Sequence, residues 1–147
     1  MKLLFILAAV AQGFSVQAAP AKLIKVLPQF LDLEGRHAVS PSLFDRDAYQ
    51  ARLRQRPQDR SGIQFAIQWK APNSMPLKLR VELRGARGAE PTTAVLEAAV
   101  EHHGLFSNWS IPKLLGEDYK KFGELAAWRV TLWNTRQQVA EQKSFLW

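Results

Sequence analysis

Two adjacent histidines are the residues of this 147-residue sequence with the clearest potential for metal chemistry. His102 and His103 follow Glu97 and Glu101, and imidazole and carboxylate groups so close together could hold a metal ion such as zinc, copper or nickel. Adjacent side chains on a strand point to opposite faces, so both histidines can reach one metal only where the strand turns. We keep His102 and His103 as candidate metal ligands beside the simpler interpretation of a solvated strand end, and we predict no cofactor.

Nucleophilic catalysis has little support in the sequence. The chain contains no cysteine, which excludes thiol nucleophiles, thiolate zinc sites and disulfide bonds. The serines stand outside the Gly-x-Ser-x-Gly context that exposes a hydrolase nucleophile. We therefore predict no catalytic residue and favour a non-enzymatic role, with a small metal-dependent hydrolase as the least favoured alternative.

Five tryptophans are the most unusual feature of the composition. Exposed tryptophan supplies a large, rigid contact area and marks surfaces that bind proteins or sugars. Strand alternation predicts that Trp69 and Trp128 are buried, whereas Trp109, Trp133 and Trp147 fall on faces or ends that can stay exposed. We predict these three as candidate binding residues, although a covering segment that buries them is the simpler alternative.

Arginines form a second set of candidate binding residues. Arg52 and Arg56 belong to a basic helix, and Arg80 and Arg84 point outward from a predicted strand. Such groups could attract nucleic acid, anionic glycans or lipid headgroups. Acidic residues interrupt both clusters, so an ordinary solvated face is the simpler interpretation, and we do not expect a nucleic-acid partner.

The first 18 residues predict export. Lys2 precedes an uncharged apolar run over residues 3–11, which has the length of a signal-peptide core and is too short to span a bilayer. We expect cleavage after Ala18, with Ala19 as the alternative, to leave one domain over residues 19–147. Loss of Lys2 reduces Lys plus Arg from 20 to 19 against 13 acidic residues, and the formal charge from +7 to +6. The mature protein is expected to be secreted or periplasmic, without a transmembrane segment.

Alternation of apolar and polar residues predicts a mainly β structure. Two hairpins are expected, one over residues 63–84 and one over residues 126–147, the last strand having an ambiguous inward face that a bulge or an edge position would explain. Weaker strands are expected at 23–33, 93–102 and 106–114, with Pro28 and Pro112 at edges or bulges. One surface helix is predicted over 43–56, capped by Ser42 or Asp45 and ended by Pro57. The prediction is an all-β antiparallel sandwich of about seven strands with one inserted surface helix.

The strand spacing from residue 63 to 147, Trp69 in an early core strand and the hairpin at 126–133 resemble an immunoglobulin-like or fibronectin type III-like sandwich. The ending over 141–147 resembles that of small uncharacterised secreted bacterial proteins. Neither resemblance implies an activity, because sandwiches host many functions. We expect an interaction module with an unknown protein or glycan partner, using the terminal hairpin or the helix; the alternative is carbohydrate or cell-envelope binding.

Overall fold

The computed structural model describes residues 21–72, 75–100 and 106–147. In chain order its elements are β1 (Lys22–Asp32), α1 (Leu43–Gln55), β2 (Arg60–Lys70), β3 (Leu77–Arg87), β4 (Glu90–Val100), β5 (Asn108–Ser110), β6 (Lys113–Leu115), α2 (Gly116–Phe122), β7 (Glu124–Asn134) and β8 (Gln137–Lys143). The predicted signal peptide lies outside the described residues, so export stays a prediction. Within those residues, no helix is long and apolar enough to cross a membrane.

The strands form two antiparallel sheets that pack face to face. In sheet I, β2 lies between β1 on one side and β5 and β6 on the other; in sheet II the order is β4-β3-β7-β8. The predicted all-β antiparallel sandwich is confirmed. The described residues form eight strands rather than about seven, and two α-helices rather than one.

The extra strand arises from a break at Pro112. β2 pairs with β5 and with β6 at the same offset, so the two short strands continue one line along its edge. Proline cannot donate to a ladder, but the carbonyl of Pro112 still accepts a hydrogen bond of 3.0 Å from the backbone nitrogen of Phe65. The predicted edge position of Pro112 is thereby confirmed, and Pro28 likewise lies in the edge strand β1.

The core comes from the alternation expected in β2, β3 and the first strand of the second hairpin. Its fully buried side chains include Ile63, Phe65, Ile67 and Trp69 from β2, Leu79, Val81 and Leu83 from β3, and Val130 and Leu132 from β7. Burial of one such side chain stabilises the fold by about 1.5–3 kcal/mol. These side chains belong to β2 of sheet I and to the β3–β7 pair of sheet II. The hairpin predicted over residues 63–84 is therefore wrong: β2 and β3 do not pair, because the chain crosses from one sheet to the other between them.

The ambiguous alternation of the last strand has a structural cause. β8 is an edge strand, and its pairing with β7 shifts by one residue between Leu132 and Trp133. A bulge exchanges the faces on which successive side chains lie. Both features expected for this strand are therefore present.

The two helices differ in how visible they are in the sequence. α1 begins after Ser42, whose hydroxyl accepts from the backbone nitrogen of Asp45 at 3.5 Å, and it buries only Gln50 and Leu53. The surface helix is thus confirmed. α2 has seven residues, too few for a clear periodicity, but its buried Phe122 contributes to the core. It packs against strands of both sheets and closes one end of the sandwich.

Candidate functional site

The predicted binding residues do not form one surface. They divide among three places: Arg80, Arg84, Trp133 and Trp147 on the outer face of sheet II, Arg52 and Arg56 on α1, and Trp109 on the outer face of sheet I. Each place has its own neighbours and its own electrostatics.

The outer face of sheet II carries a network of alternating positively and negatively charged side chains. Arg129 lies 2.7 Å from Glu82 and 3.9 Å from Glu141. Arg80 lies 3.8 Å from Glu82 and 3.7 Å from Glu97. Because these guanidinium groups face carboxylates of their own sheet, they offer little unbalanced charge to an anionic partner.

Two of the tryptophans predicted to bind a partner lie on the same face of sheet II. The guanidinium carbons of Arg84 and Arg129 lie 3.9 and 4.9 Å from the ring centre of Trp147. The indole nitrogen of Trp133 donates to the hydroxyl of Thr131 at 2.9 Å. Thr131 points outward yet is only 1% exposed, so its neighbours cover it. Both indoles are partly buried and already have partners within the chain.

Arg52 and Arg56 line a cavity of about 300 Å³ between α1 and the loop after β1. Their guanidinium groups lie 3.8 and 3.9 Å from the carboxylate of Asp59. The charged lining consists of three arginines and three acids, namely Arg36, Arg52, Arg56, Asp32, Glu34 and Asp59. Since these charges balance, the cavity has no net charge that would select an anion.

Asp32 holds this cavity together. Its carboxylate accepts hydrogen bonds from the Tyr49 hydroxyl at 2.5 Å, from Arg36 Nε at 3.0 Å, and from the backbone nitrogens of Arg36 and Glu34 at 2.8 and 2.9 Å. Burial acts to raise the pKa of Asp32, but these hydrogen bonds outweigh it and hold the pKa at about 2. The carboxylate therefore fastens the loop to α1, which is a structural role.

The outer face of sheet I carries an exposed apolar cluster that we name the Trp109 patch, consisting of Leu27, Ala66, Trp109 and Ile111. Leu27 pairs with Ala66 across β1 and β2, and the common offset of β5 and β6 places Ile111 on the other side of Ala66. Trp109 lies on the same face two positions before Ile111. Trp109 and Ile111 are each 50% exposed and Leu27 is 36% exposed, whereas Ala66 is buried between them.

Polar and basic side chains surround the patch. Gln68 pairs with Trp109 on one side and with Lys25 on the other, so Lys25 lies in the same row of the sheet as the indole. Lys113 follows Ile111 by two positions and shares its face. Both lysines are exposed. The patch is thus an apolar centre with a positive border.

Metal ligands are not gathered in the described part of the chain, where no three His, Asp or Glu side chains lie close enough to hold an ion. His102 and His103 lie outside the described residues, so their role as ligands stays a prediction. His37 is described, and burial together with the charges of Arg46 and Lys113 lowers its pKa. Positive neighbours of this kind oppose the binding of a cation.

Sequence reasoning found Trp109 but missed its neighbours. Alternation in β1 is weak, and Leu27 lies within a strand whose faces the sequence does not separate cleanly. Ile111 precedes Pro112, which interrupts the pattern in which it would be read. Alternation assigns a residue to a face but does not name the residue beside it on the next strand, so the cluster becomes visible only from the register.

Comparisons of the chain with protein-family models, with curated proteins and with solved structures gave no match. The functional inference therefore depends on the geometry of these three surfaces.

Proposed function

We propose that this protein is an exported, non-catalytic interaction module that binds a partner protein through the Trp109 patch. One observation carries the proposal: Trp109 and Ile111, each half exposed, lie together on a sheet face. The aromatic and basic residues on the other sheet are engaged by one another, and those on α1 border a cavity of balanced charge. Of the predicted tryptophans, Trp109 has the greatest free surface.

The patch has the physical properties of a binding hot spot. Removal of apolar surface from water contributes roughly 25 cal/mol per Å², and tryptophan dominates many interfaces because one rigid side chain buries a large area. Trp109 lies on β5, which pairs with the central strand β2. A side chain on a paired strand loses little conformational freedom on binding. The entropic cost of ordering it therefore subtracts less from the binding free energy.

The border indicates the chemistry of the partner. Lys25 and Lys113 flank the apolar centre, so a partner surface with an apolar knob and acidic residues around it would match both features. Rim charges of this type change the rate of association and its dependence on salt more than the final affinity. Binding is therefore expected to weaken moderately as ionic strength rises.

A glycan of the cell envelope is the second candidate partner. The side chain of Gln68 lies beside Trp109 and donates to Ser107 Oγ at 2.8 Å, and an amide next to an indole is a combination that can bind a sugar ring and its hydroxyls. The side chains of Leu27 and Ile111 offer no hydrogen bonds, however, and they are two of the three exposed residues of the patch. This apolar content favours a protein over a carbohydrate.

The proposal includes an immunoglobulin-like or fibronectin type III-like architecture. When β5 and β6 are counted as one strand, sheet I has the order β1, β2, β5/β6 and sheet II has the order β4, β3, β7, β8. In immunoglobulin nomenclature these orders correspond to A-B-E opposite C′-C-F-G. Trp69 departs from the immunoglobulin pattern, since it lies on the second strand and not on strand C. The strand order supports the resemblance, whereas the position of Trp69 does not.

Export is the second part of the proposal and has a direct test. Expression of the full chain with a C-terminal tag, followed by intact-mass measurement of the extracytoplasmic fraction, should yield a protein that begins at Ala19. A full-length chain retained in the cytoplasm would contradict export without affecting the proposal for the patch.

The patch is tested by Trp109→Ala with Trp133→Ala as the matched control. A photo-crosslinking amino acid at Lys113 identifies the partner of the wild-type protein, and the affinity of that partner is then measured for each variant. We expect Trp109→Ala to weaken binding by about 2 kcal/mol or more, as for hot-spot residues, and Trp133→Ala to leave it unchanged.

Equal affinity for both variants would refute the patch as the binding surface. Retention of the wild-type protein on purified glycans, lost in Trp109→Ala, would replace the protein partner with a carbohydrate.

A further inference from the structure

β4 is a long edge strand. It extends over eleven residues, Glu90–Val100, and pairs with β3 along its whole length without a register shift. Its other edge has no neighbouring strand among the described residues. Long, straight edges are the places where a further strand can be added.

The backbone groups of β4 alternate between β3 and the free edge. Arg87 and Glu90 close a hairpin over a two-residue loop, so Glu90 and every second residue after it bond to β3. Pro91, which has no N–H, falls in the other set, together with Thr93, Val95 and later odd residues. These residues direct their N–H and C=O groups to the free edge.

A groove runs beside this edge. On the other side of the sandwich, β1 contacts β8. Between β4 and the β6–α2 segment a groove of about 400 Å³ stays open, with Leu96, Leu114 and Phe122 in its lining. The lining also contains Thr92, Asp118 and Lys121, so an added strand would place every second side chain over a groove of mixed polarity.

We propose that β4 pairs with β4 of a second copy of this chain, antiparallel about a two-fold axis at Val95. Val95 then lies opposite its own counterpart, and Thr93 lies opposite Glu97. All of these residues have backbone groups that face the free edge, so each can form a complete hydrogen-bonded pair. The two copies of sheet II become one continuous eight-stranded sheet.

The side chains of β4 are complementary to themselves in this register. On the groove side Leu96 lies opposite Ala94 of the other copy, so a large side chain meets a small one twice. On the outer side the half-exposed Val95 pairs with itself, which removes apolar surface from both copies.

Charges also permit the pairing. Glu97 lies opposite Thr93, and the neighbour of Thr93 on β3 is Arg84, so the acid of one copy lies near a cation of the other. Within its own copy Glu97 is 2.5 Å from Lys78 and 3.7 Å from Arg80. The register therefore opposes no like charges across the two β4 strands.

The proposal is independent of the function proposed above. The Trp109 patch belongs to sheet I, whereas the dimer joins sheet II. A dimer therefore leaves two patches available, which would raise the avidity for a partner that presents repeated sites.

The absence of cysteine allows a register-specific test in the full mature chain. In a hydrogen-bonded antiparallel pair the Cα atoms are about 5.5 Å apart, within the range that a disulfide spans. Val95→Cys is therefore expected to form a disulfide-linked dimer on mild oxidation. Ala99→Cys is the control, because eight residues separate the two copies of that position along the strand direction, a distance of about 27 Å.

A second variant measures the contribution of the edge without oxidation. Val95→Lys places two ammonium groups side by side, and Val39→Lys changes another exposed valine, which lies beside α1. In analytical ultracentrifugation we expect Val95→Lys to raise the dimer dissociation constant by about tenfold or more and Val39→Lys to leave it unchanged. Circular dichroism checks that both variants are folded.

The outcomes separate clearly. Rapid crosslinking through position 95 but not 99, with loss of the dimer in Val95→Lys, supports the proposal. A wild-type chain that is monomeric at every concentration overturns it, as does a dimer that Val95→Lys leaves intact or equal crosslinking through both cysteines.

Discussion

At the scale of single residues, two buried polar side chains, Asp32 and Gln50, connect α1 to the loop after β1 and to the edge of β1. Asp32 accepts a hydrogen bond from Tyr49 and so joins the loop after β1 to α1. The side-chain amide of Gln50 accepts from the backbone nitrogen of Phe30 at 2.8 Å and donates to the carbonyl of Phe30 at 2.9 Å, at the free edge of β1. In both cases the side chain satisfies groups that burial would otherwise leave without partners. Asp32 and Gln50 therefore have a structural role in this part of the molecule.

Asp32 should make stability depend on acid pH. Its pKa is about 2 in the folded chain against an ordinary value of 3.8, so the unfolded state binds the proton more readily. The stability from this carboxylate is present above pH 4 and is lost as the pH falls through about 2. Urea unfolding at a series of pH values should show this loss in the wild type and a smaller one in Asp32→Asn.

The control is Asp47→Asn, a change to an exposed residue of α1. Its pH profile should follow that of the wild type. An Asp32→Asn profile that is parallel to the wild-type curve between pH 4 and 2 would show that this carboxylate does not carry the effect.

At the scale of elements, the turns set the register of the sandwich. The Asn134–Gln137 turn between β7 and β8 places Thr135 at a φ of 55°, in the left-handed region. This conformation costs an L-residue about 1–2 kcal/mol, and Thr is branched at Cβ. The sequence indicates the turn through Asn134 and Thr135, but the strain at Thr135 is a property of its folded backbone.

Thr135→Gly should stabilise the protein. Relief of the left-handed strain exceeds the entropy that glycine adds to the unfolded chain, which is about 0.4–1 kcal/mol. We expect a net gain of about 0.5–1 kcal/mol, measured as a higher urea midpoint at constant m-value. Arg136→Gly, at a residue with negative φ, should instead reduce stability. A loss of stability in Thr135→Gly would mean that the 3.5 Å hydrogen bond from the Thr135 hydroxyl to Asn134 Oδ1 outweighs the strain.

At the scale of the whole molecule, Arg60 connects the two sheets. Its side chain is 2% exposed, and Nη1 donates to both carboxylate oxygens of Glu124 on β7 at 2.8 and 2.9 Å. Its remaining donors reach the carbonyls of Leu53 and Arg54 at the end of α1, both at 2.5 Å, and its guanidinium carbon lies 3.9 Å from the ring centre of Phe30. One residue of sheet I thus contacts sheet II, α1 and β1.

Arg60→Met should lower the free energy of unfolding by about 2–4 kcal/mol, because it leaves two helix-terminal carbonyls without their donors. Glu124→Gln should cost less, about 1–2 kcal/mol, since Glu124 is 59% exposed and water screens its charge. Arg129→Met, at a more exposed arginine of sheet II, is the control and should cost less than about 1 kcal/mol. Chemical denaturation measures all three, and equal losses for Arg60→Met and Arg129→Met would contradict the special role of Arg60.

Alternation along the chain was sufficient to predict the sandwich, the hairpin over 126–147, the core faces of β2 and β3 and the surface helix, but it wrongly paired β2 with β3, which lie in different sheets. Each of these depends on neighbours within a few residues, where the period of the backbone determines which side chains share a face. Residues such as Trp69 and Leu79 could be placed in the core for that reason.

The candidate sites could not be predicted in the same way, because they depend on which strands are neighbours. Sequence period does not reveal that Ala66 lies between Leu27 and Ile111, that Arg84 and Arg129 both contact the ring of Trp147, or that β4 forms an edge. Those facts follow from tertiary pairing, in which residues 18 to 63 positions apart become adjacent. The sequence by itself thus determined the layers of this protein, while the tertiary structure decided which of its aromatic and basic residues engage one another and which stay open to a partner, because strand order and register decide side-chain neighbours.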